Sequence, residues 1–464
     1  MGIRFKATHV VLAMLCAMYF ITYVDRVNIG TAASEIQKEL GLSNTQLGLV
    51  FSAFAYPYLL FQVIGGWVGD RFGPRKTLFW CGMIWAAATI STGFVNGLAA
   101  LFVARFALGF GEGATFPTAT RAMQYWTPAN RRGFTQGLTH SFARLGNAVT
   151  PPVVALLILW LTWRGAFVVL GLVSLVWGVV WVWYFRNEPK EHASITEAEL
   201  AALPPRPTGE RPRVPWGPLL GRMWPVTLTY FCYGWCLWLY LNWLPLFFKN
   251  NYNLDIKNSA LFASGVFFAG VVGDSVGGVL SDKILDRTGN VRLARLSVTV
   301  AGFTGALLSL FPILFVHDIT IVALCLSAGF FCAELVIGPM WSIPMDIAPK
   351  YSGTASGLMN IRLCLRRHCL PARGRLRDRR DRQLVPAVPD VDGAVAARWL
   401  FRLPDASGAP VHGGRGAPAF RKGGGRGVGE ARPGRGPPLM HGRRLKERGQ
   451  AGQMVLFGAH QNQG

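Results

Sequence analysis

The sequence predicts an all-α protein built from many membrane-spanning helices. Three observations predict it: an apolar and charge-poor composition, apolar segments of bilayer length recurring at short intervals, and basic residues confined to alternate breaks between them. Of the 464 residues, 51% are hydrophobic and only 15% charged, against roughly a quarter charged in a soluble domain. The 16 Trp and 30 Phe suit helices whose outer faces meet lipid and its interface.

Runs longer than about 18 apolar residues read as spans. They predict helices near 8–32, 45–69, 76–95, 98–124, 134–161, 164–185, 224–248, 258–282, 292–316 and 319–347. The first run begins after Arg4 and Lys6 and ends at Asp25-Arg26 rather than at a small-residue cleavage site, so it reads as a retained span. The breaks holding Arg71, Arg75 and Lys76, then Arg131 and Arg132, then Lys283, Arg287, Arg292 and Arg295 are basic, whereas Asn96-Gly97 and His317-Asp318 are poor in cations. Placing basic loops inside puts the N-terminus in the cytoplasm of a multi-pass protein of the inner membrane. Residues 186–222, with Pro204, Pro205, Pro207, Pro212, Pro215 and Pro218, are too polar to span. The expected organisation is a six-helix bundle over 1–185, a cytoplasmic linker over 186–222, a partial second bundle over 223–361, and a tail over 362–464.

The tail differs in kind. It holds 21 of the 47 Lys+Arg and 7 of the 24 Asp+Glu, so about +14 of the formal +23 lies there. After Ile361 the residues Arg362, Arg366 and Arg367 interrupt an apolar start, and no later window has the length of a span. A Gly/Arg/Pro-rich stretch of this kind reads as disordered and lipid- or nucleic-acid-binding, as a regulatory extension, or as the out-of-frame product of a GC-rich gene. The last is favoured because two expected spans vanish at one point. A nucleic-acid partner is not expected, since the tail lacks interleaved aromatic residues for stacking. The expectation is therefore about ten readable spans, with the second bundle truncated.

Six cysteines, Cys16, Cys81, Cys232, Cys236, Cys325 and Cys332, lie in apolar runs as small hydrophobes. Cys364, His368 and Cys369 fall in the anomalous tail. No metal, no cofactor and no enzymatic activity is expected: the sequence has no phosphate-binding loop, metal cluster or nucleophile triad.

One motif occurs twice. Gly66-x-x-x-Asp70-Arg71-x-Gly73-x-Arg75-Lys76 follows the second span, and Gly278-x-x-x-Asp282-Lys283 with Asp286-Arg287-x-Gly289 follows the eighth. The copies fall at matching places if each half has six spans, the signal of a two-fold repeat about the membrane normal. Gly66 permits close helix contact, and Asp70 is placed to meet a helix N-terminus and a nearby Arg.

At this motif the sequence resembles the major facilitator superfamily. Within it the chain resembles the anion:cation symporters, through Tyr23-Val24-Asp25-Arg26-Val27-Asn28, Arg105 to Gly113, Phe116-Pro117, Trp126-Thr127-Pro128, Trp243-Leu244-Pro245, and Asp346-Ile347-Ala348-Pro349 through Gly353, Gly357 and Asn360. The likeness covers residues 1 to about 361. It implies proton symport of an organic anion such as a sugar acid, aldarate or aromatic carboxylate, with Asp25 and Glu112 as the proton-coupling pair and Arg26 and Arg105 organising the anion site.

The ions inside the spans support this reading independently. Asp25, Arg26, Arg105, Glu112 and Arg144 would together cost roughly 12–18 kcal/mol unpaired in lipid, so they are expected to face a shared polar cavity. Arg105 and Glu112, seven residues apart, share a helix face; Asp25 and Arg26 point about 100° apart. Three Arg against two carboxylates leave a net positive site, which an anion balances through the guanidinium fork. Arg144 is added to the substrate-binding set from its position. Tyr23, Tyr58, Asn242 and Asn360 complete it. Asp274 and Glu334 read either as a polar contact between the halves or as part of a proton path. Structural readings stand beside these: a packing ion pair for Asp25–Arg26, a mutual bridge for Arg105–Glu112, and snorkelling for Arg144. The expected partners are the small organic anion, protons and the bilayer, with the protein a monomer. The alternative is a non-transporting remnant that lacks its last two spans.

Overall fold

The computed structural model describes residues 6–205, 213–252 and 256–360; within these, the side chains of 238, 239, 241–243, 245, 246, 249, 250 and 256–261 are also left aside. The described chain is helical: α1 (Ala7–Thr31), α2 (Ala33–Leu40), α3 (Asn44–Ala53), α4 (Ala55–Phe72), α5 (Pro74–Thr92), α6 (Leu98–Gly113), α7 (Thr115–Trp126), α8 (Arg132–Tyr184), α9 (Glu197–Ala202), α10 (Trp216–Tyr252), α11 (Ile256–Thr288), α12 (Val291–Leu310), α13 (Ile319–Glu334) and α14 (Ile337–Ile347). Residues 352–360 are helical as well. The tail and the two spans expected to be missing lie outside the described residues.

Seven stretches among the described residues are long and apolar enough to cross a membrane: Ala7–Thr31, Asn44–Phe72, Leu98–Trp126, Ala129–Tyr184, Phe262–Thr288, Val291–Leu314 and Ile319–Ile347. The difference from ten lies in three places. Ala129–Tyr184 joins two of the expected segments, α5 is a continuous helix that is less apolar, and the expected span in α10 falls partly outside the described residues. Within α8 the chain turns at Thr162 (φ 63°, ψ 169°), a left-handed conformation uncommon for a β-branched residue. Flanking contacts hold this turn. Glu39 of the short α2 accepts hydrogen bonds from the Trp163 indole and, at 2.8 Å, from Arg164 Nε.

Three of the expected spans are each two helices joined by a break, and the breaks have one cause. Pro57, Pro117 and Pro339 have no N–H to give to the carbonyl four residues back, and their rings crowd it. Those carbonyls belong to Ala53, the last residue of α3, to Gly113, the last of α6, and to Leu335, just past α13.

The outer surface is apolar. Trp80, Leu159, Trp160, Trp183, Phe315 and Leu324 are each more than 60% exposed, as expected of side chains that meet lipid rather than water. The interior holds the charges. Asp25, Glu112, Asp274 and Glu334 have no exposed surface at all, and Arg105, Arg144 and Arg295 almost none.

Part of the linker is built onto the first half. Glu199, in α9, accepts from Thr8 N (3.2 Å) and Thr8 Oγ1 (2.8 Å), so it caps the N-terminus of α1. Its other oxygen closes a capping box with Thr196. His192 packs edge-on against Trp126 and close to Tyr184.

Candidate functional site

The polar interior divides into two parts. The first is a set of contacts between the halves made by the repeated motif. Asp70, at the end of α4, accepts from Gly353 N (3.1 Å), Thr354 N (2.7 Å) and Thr354 Oγ1 (2.7 Å), which caps the helix over 352–360. Arg121 Nε stands 3.4 Å from Asp70 and its Nη1 donates to Pro349 O at 2.7 Å. A Cβ on Gly66 would lie 2.3 Å from Gly353 O, so no other residue fits that crossing. Gly73 turns the chain at φ 89°, and the next residues dock. Arg75 N donates to Asn187, and the Arg75 guanidinium donates twice to Val182 O, at 2.9 and 2.7 Å. Arg71 and Lys76 are exposed. The second copy mirrors the first. Asp282 accepts from Gly133 N (3.0 Å) and Phe134 N (2.6 Å) at the start of α8, and a Cβ on Gly278 would lie 2.2 Å from Gly133 O.

Two arginines expected as loop charges are not loop residues. Arg295 is buried in α12, bonded to Asp282 (2.9 Å) and Asp346 (3.1 Å), and Arg132 is buried at the start of α8, 2.9 Å from Asp346. Counting cations per loop does not sense burial, and Asp346 supplies the charge that makes burial tolerable.

The second part is the group of residues expected to form the anion site. Arg26 Nε is 2.6 Å from Glu112 Oε2, an ion pair between α1 and α6. Its guanidinium carbon sits over four rings, at 4.6 Å from Tyr58, 4.8 Å from Phe116, 4.9 Å from Tyr23 and 5.7 Å from Phe54. Its Nη2 is buried without a hydrogen-bond partner. Arg105 Nη1 donates to the Asp25 carbonyl at 3.3 Å and lies 5.3 Å from the Phe54 ring. Asp25 turns away from Arg26, toward α8, where Ser174 Oγ donates to it at 3.0 Å. The 100° separation of these two neighbours is thus realised as one residue in the cluster and one against an adjacent helix.

Arg144 belongs here but keeps unexpected company. It does not snorkel. It is buried, 3.2 Å from Glu334 and 3.8 Å from Asp274, and donates to Tyr233 Oη at 2.8 Å. The expected count of three Arg against two carboxylates is therefore corrected: Asp274 and Glu334 make it three against four. Asn360 is also placed differently. Its amide donates to Gln62 at 3.0 Å in the contact between α4 and the 352–360 helix, beyond the Gly66 crossing rather than at the arginines. Asn242 has its side chain outside the described residues. Tyr233, His140 and Trp341 were not singled out from the sequence. His140 and Trp341 pack against Tyr19, Phe116 and Tyr230 around the cluster; aromatic residues in apolar runs carry no signal that separates them from packing.

This fold and interior define a membrane transporter, and comparison with known proteins places it. The family model of the Major Facilitator Superfamily matches residues 15–365. The chain is 50% identical over 361 residues to the probable sulfoacetate transporter SauU of Cupriavidus necator, covering 77% of this chain and 84% of that one. It is 29% identical over 385 residues to the probable galactarate/D-glucarate transporter GudP of Escherichia coli, with the same coverage of both chains. Among solved structures it resembles the proton:xylose symporter XylE (TM-score 0.65, 14% identity, 85% of this chain and 93% of that) and FucP in the outward conformation (TM-score 0.63, 13% identity, 85% and 98%). The chain belongs to the Major Facilitator Superfamily: it is a membrane transporter, not an enzyme, and its relatives carry organic anions.

Proposed function

We propose that this chain is a proton-coupled symporter that brings a small organic anion across the cytoplasmic membrane. The observation that carries the reading is Arg26. Its guanidinium is enclosed by four aromatic rings, paired with Glu112, and left with a buried Nη2 that has no partner. An unpartnered buried donor costs about 1–3 kcal/mol, and a carboxylate or sulfonate oxygen relieves it. Arg105 braces the same region through the Asp25 carbonyl.

Coupling follows from charge. With Asp25, Glu112, Asp274 and Glu334 all ionised, the interior carries one negative charge beyond what Arg26, Arg105 and Arg144 neutralise. An entering anion deepens that excess in a low-dielectric region, so protons must enter with it. A proton on Glu112 frees Arg26 for the substrate; Asp25, held by Ser174, is the second acid of the pair. The substrate class is the sugar acids, aldarates and aromatic carboxylates, widened to short sulfonates by the SauU likeness. Tyr23 and Tyr58 supply ring and hydroxyl contacts. Alternating access requires the halves to rock, and the Asp70 and Asp282 contacts hold them together at one end. With basic loops inside, that end faces the cytoplasm, as do the N-terminus and the linker, and the protein works as a monomer.

Uptake of labelled sulfoacetate into proteoliposomes under an imposed pH gradient tests this. Expected is gradient-driven uptake, lost in Arg26→Ala and Arg105→Ala, with Glu112→Gln retaining exchange but no longer responding to the gradient. No uptake under any gradient would support a non-transporting remnant. Competition by cationic dyes but not by organic acids would indicate a cation exporter.

A further inference from the structure

The cluster around Arg144 joins the two halves, as the Asp282–Arg295–Asp346–Arg132 chain does, but its charges do not balance. Arg144 comes from α8, Tyr233 from α10, Asp274 from α11 and Glu334 from α13. One cation serves two carboxylates, and all three are buried. Its hydrogen bonding is incomplete on both sides. Glu334 Oε2 accepts from Tyr233 Oη (2.7 Å) and Arg144 Nη2 (3.2 Å), whereas Glu334 Oε1 and both Asp274 oxygens meet no N–H or hydroxyl donor, and the two carboxyl groups are left facing each other. Arg144 Nε and Nη1 have no acceptor within hydrogen-bond reach. A structural bridge would satisfy these groups. A site in an intermediate state of occupancy would not.

The second observation is the relation to Arg26. Both guanidinium carbons lie close to the Tyr23 ring, Arg26 at 4.9 Å and Arg144 at 6.0 Å from its centroid. They therefore lie within about 11 Å of each other, and each has a buried N–H without a partner. That separation suits the two charged ends of a short dianion, one on each fork.

We propose that Arg144 is a second anion-binding arginine, released to the substrate when the Asp274–Glu334 pair takes up a proton, and that the transporter is built for short dianions. The inference rests on the symport reading above and deepens it. Without Arg144, two adjacent carboxylates cannot both stay ionised in a buried site. The proton arrives on a carboxyl oxygen, Arg144 keeps its own charge, and its fork exchanges Glu334 for the second anionic group of the substrate. No covalent bond changes. The exchange also loosens a contact between the halves, so loading the site and freeing the halves to move become one event.

Tyr23 of α1, His140 of α8, and Tyr230 and Tyr233 of α10 are the other titratable groups facing this cluster. Of these only histidine has an ordinary pKa near neutral pH, so His140→Gln is the control.

The test is competition against labelled sulfoacetate on the full chain between about pH 5.5 and 8. In the wild type, the dianions sulfoacetate and galactarate should compete about tenfold more strongly than the monoanion galactonate, as one lost charge-assisted contact implies. In Arg144→Gln that gap should collapse while weak binding of all three remains. In the Asp274→Asn/Glu334→Gln double variant, dianion binding should lose its fall with rising pH; His140→Gln should keep it. Arg144→Lys, which keeps the charge but not the fork, should keep part of the gap. A full gap in Arg144→Gln, or a wild-type pH profile in the double variant, overturns the proposal. So does loss of all binding in both Arg144 variants while the double variant behaves as wild type. Proton-driven wild-type uptake with equal preference for mono- and dianions defeats this inference alone; absence of any proton-driven uptake defeats the symport reading itself.

Discussion

The two copies of the repeated motif perform the same act with unequal means. Asp70 and Asp282 each leave the end of one helix and cap the start of another in the opposite half, each beside a glycine crossing that a single Cβ would block. Their cations differ. Arg121 stands 3.4 Å from Asp70 and otherwise meets neutral groups, Pro349 O and Tyr125 Oη. Arg295 is 2.9 Å from Asp282 and continues to Asp346, which grips Arg132 of the first half. The second copy is thus one link of a four-ion chain crossing between halves, and the first is a cap with one adjacent charge. A repeat inherited as geometry need not carry equal energy, because backbone capping repeats with the fold whereas ion partners depend on single side chains.

Five substitutions break or sharpen this comparison. Asp346→Ala should be the most damaging, since it strands Arg132 in a buried site and leaves Arg295 with Asp282 alone. Breaking a buried pair costs about 3–5 kcal/mol, and the expected readout is loss of uptake with a marked fall in melting temperature in detergent. Next, Asp282→Asn should slow uptake severalfold more than Asp70→Asn, measured as initial rates at equal expression; equal effects would mean that capping, not the ion chain, dominates. Arg121→Lys should cost less, about two- to threefold in rate, because charge beside Asp70 survives and only the fork to Pro349 is lost. Smallest is Glu199→Gln at the linker. Burial works to raise the Glu199 carboxyl, but hydrogen bonds from Thr8 and Thr196 outweigh it and hold it below the ordinary glutamate range. A lowered folded value contributes stability above the unfolded value, lost as pH falls through the folded one. The melting difference between wild type and Glu199→Gln should therefore be present at about pH 7 and fade by about pH 4, and stay under ~1 kcal/mol.

Much of this was legible in the sequence, for identifiable reasons. Helix positions follow from apolar length, which lipid thickness fixes. The Asp70 cap was legible because the motif names a glycine for approach and a carboxylate for a helix start at fixed spacing. Arg26, Glu112, Tyr23 and Tyr58 do come together as expected. What escaped depends on who stands opposite. Arg144 was assigned to the substrate-binding set from its position, but its two acids lie 130 and 190 positions away, and their pairing leaves no local pattern. Arg132 and Arg295 sit at helix starts, where loop counting assigns them to water. Asn360 lies on the same helix as the Asp70 contact, nearly two turns on, and its amide meets Gln62 of α4, a partner that no local pattern announces.

The joint between α3 and α4 has a mechanical consequence. Phe54 is the residue at that joint. Its ring lies under both Arg26 and Arg105, and its carbonyl nests where a side chain on Gly109 would collide at 2.0 Å. A change of bend there cannot displace one guanidinium without the other, because both rest on the same plate. On the proposed reading, that joint and the two guanidinium groups are geared through one phenyl group, so a smaller residue at position 54 should uncouple tilting of the helix from the grip on cargo.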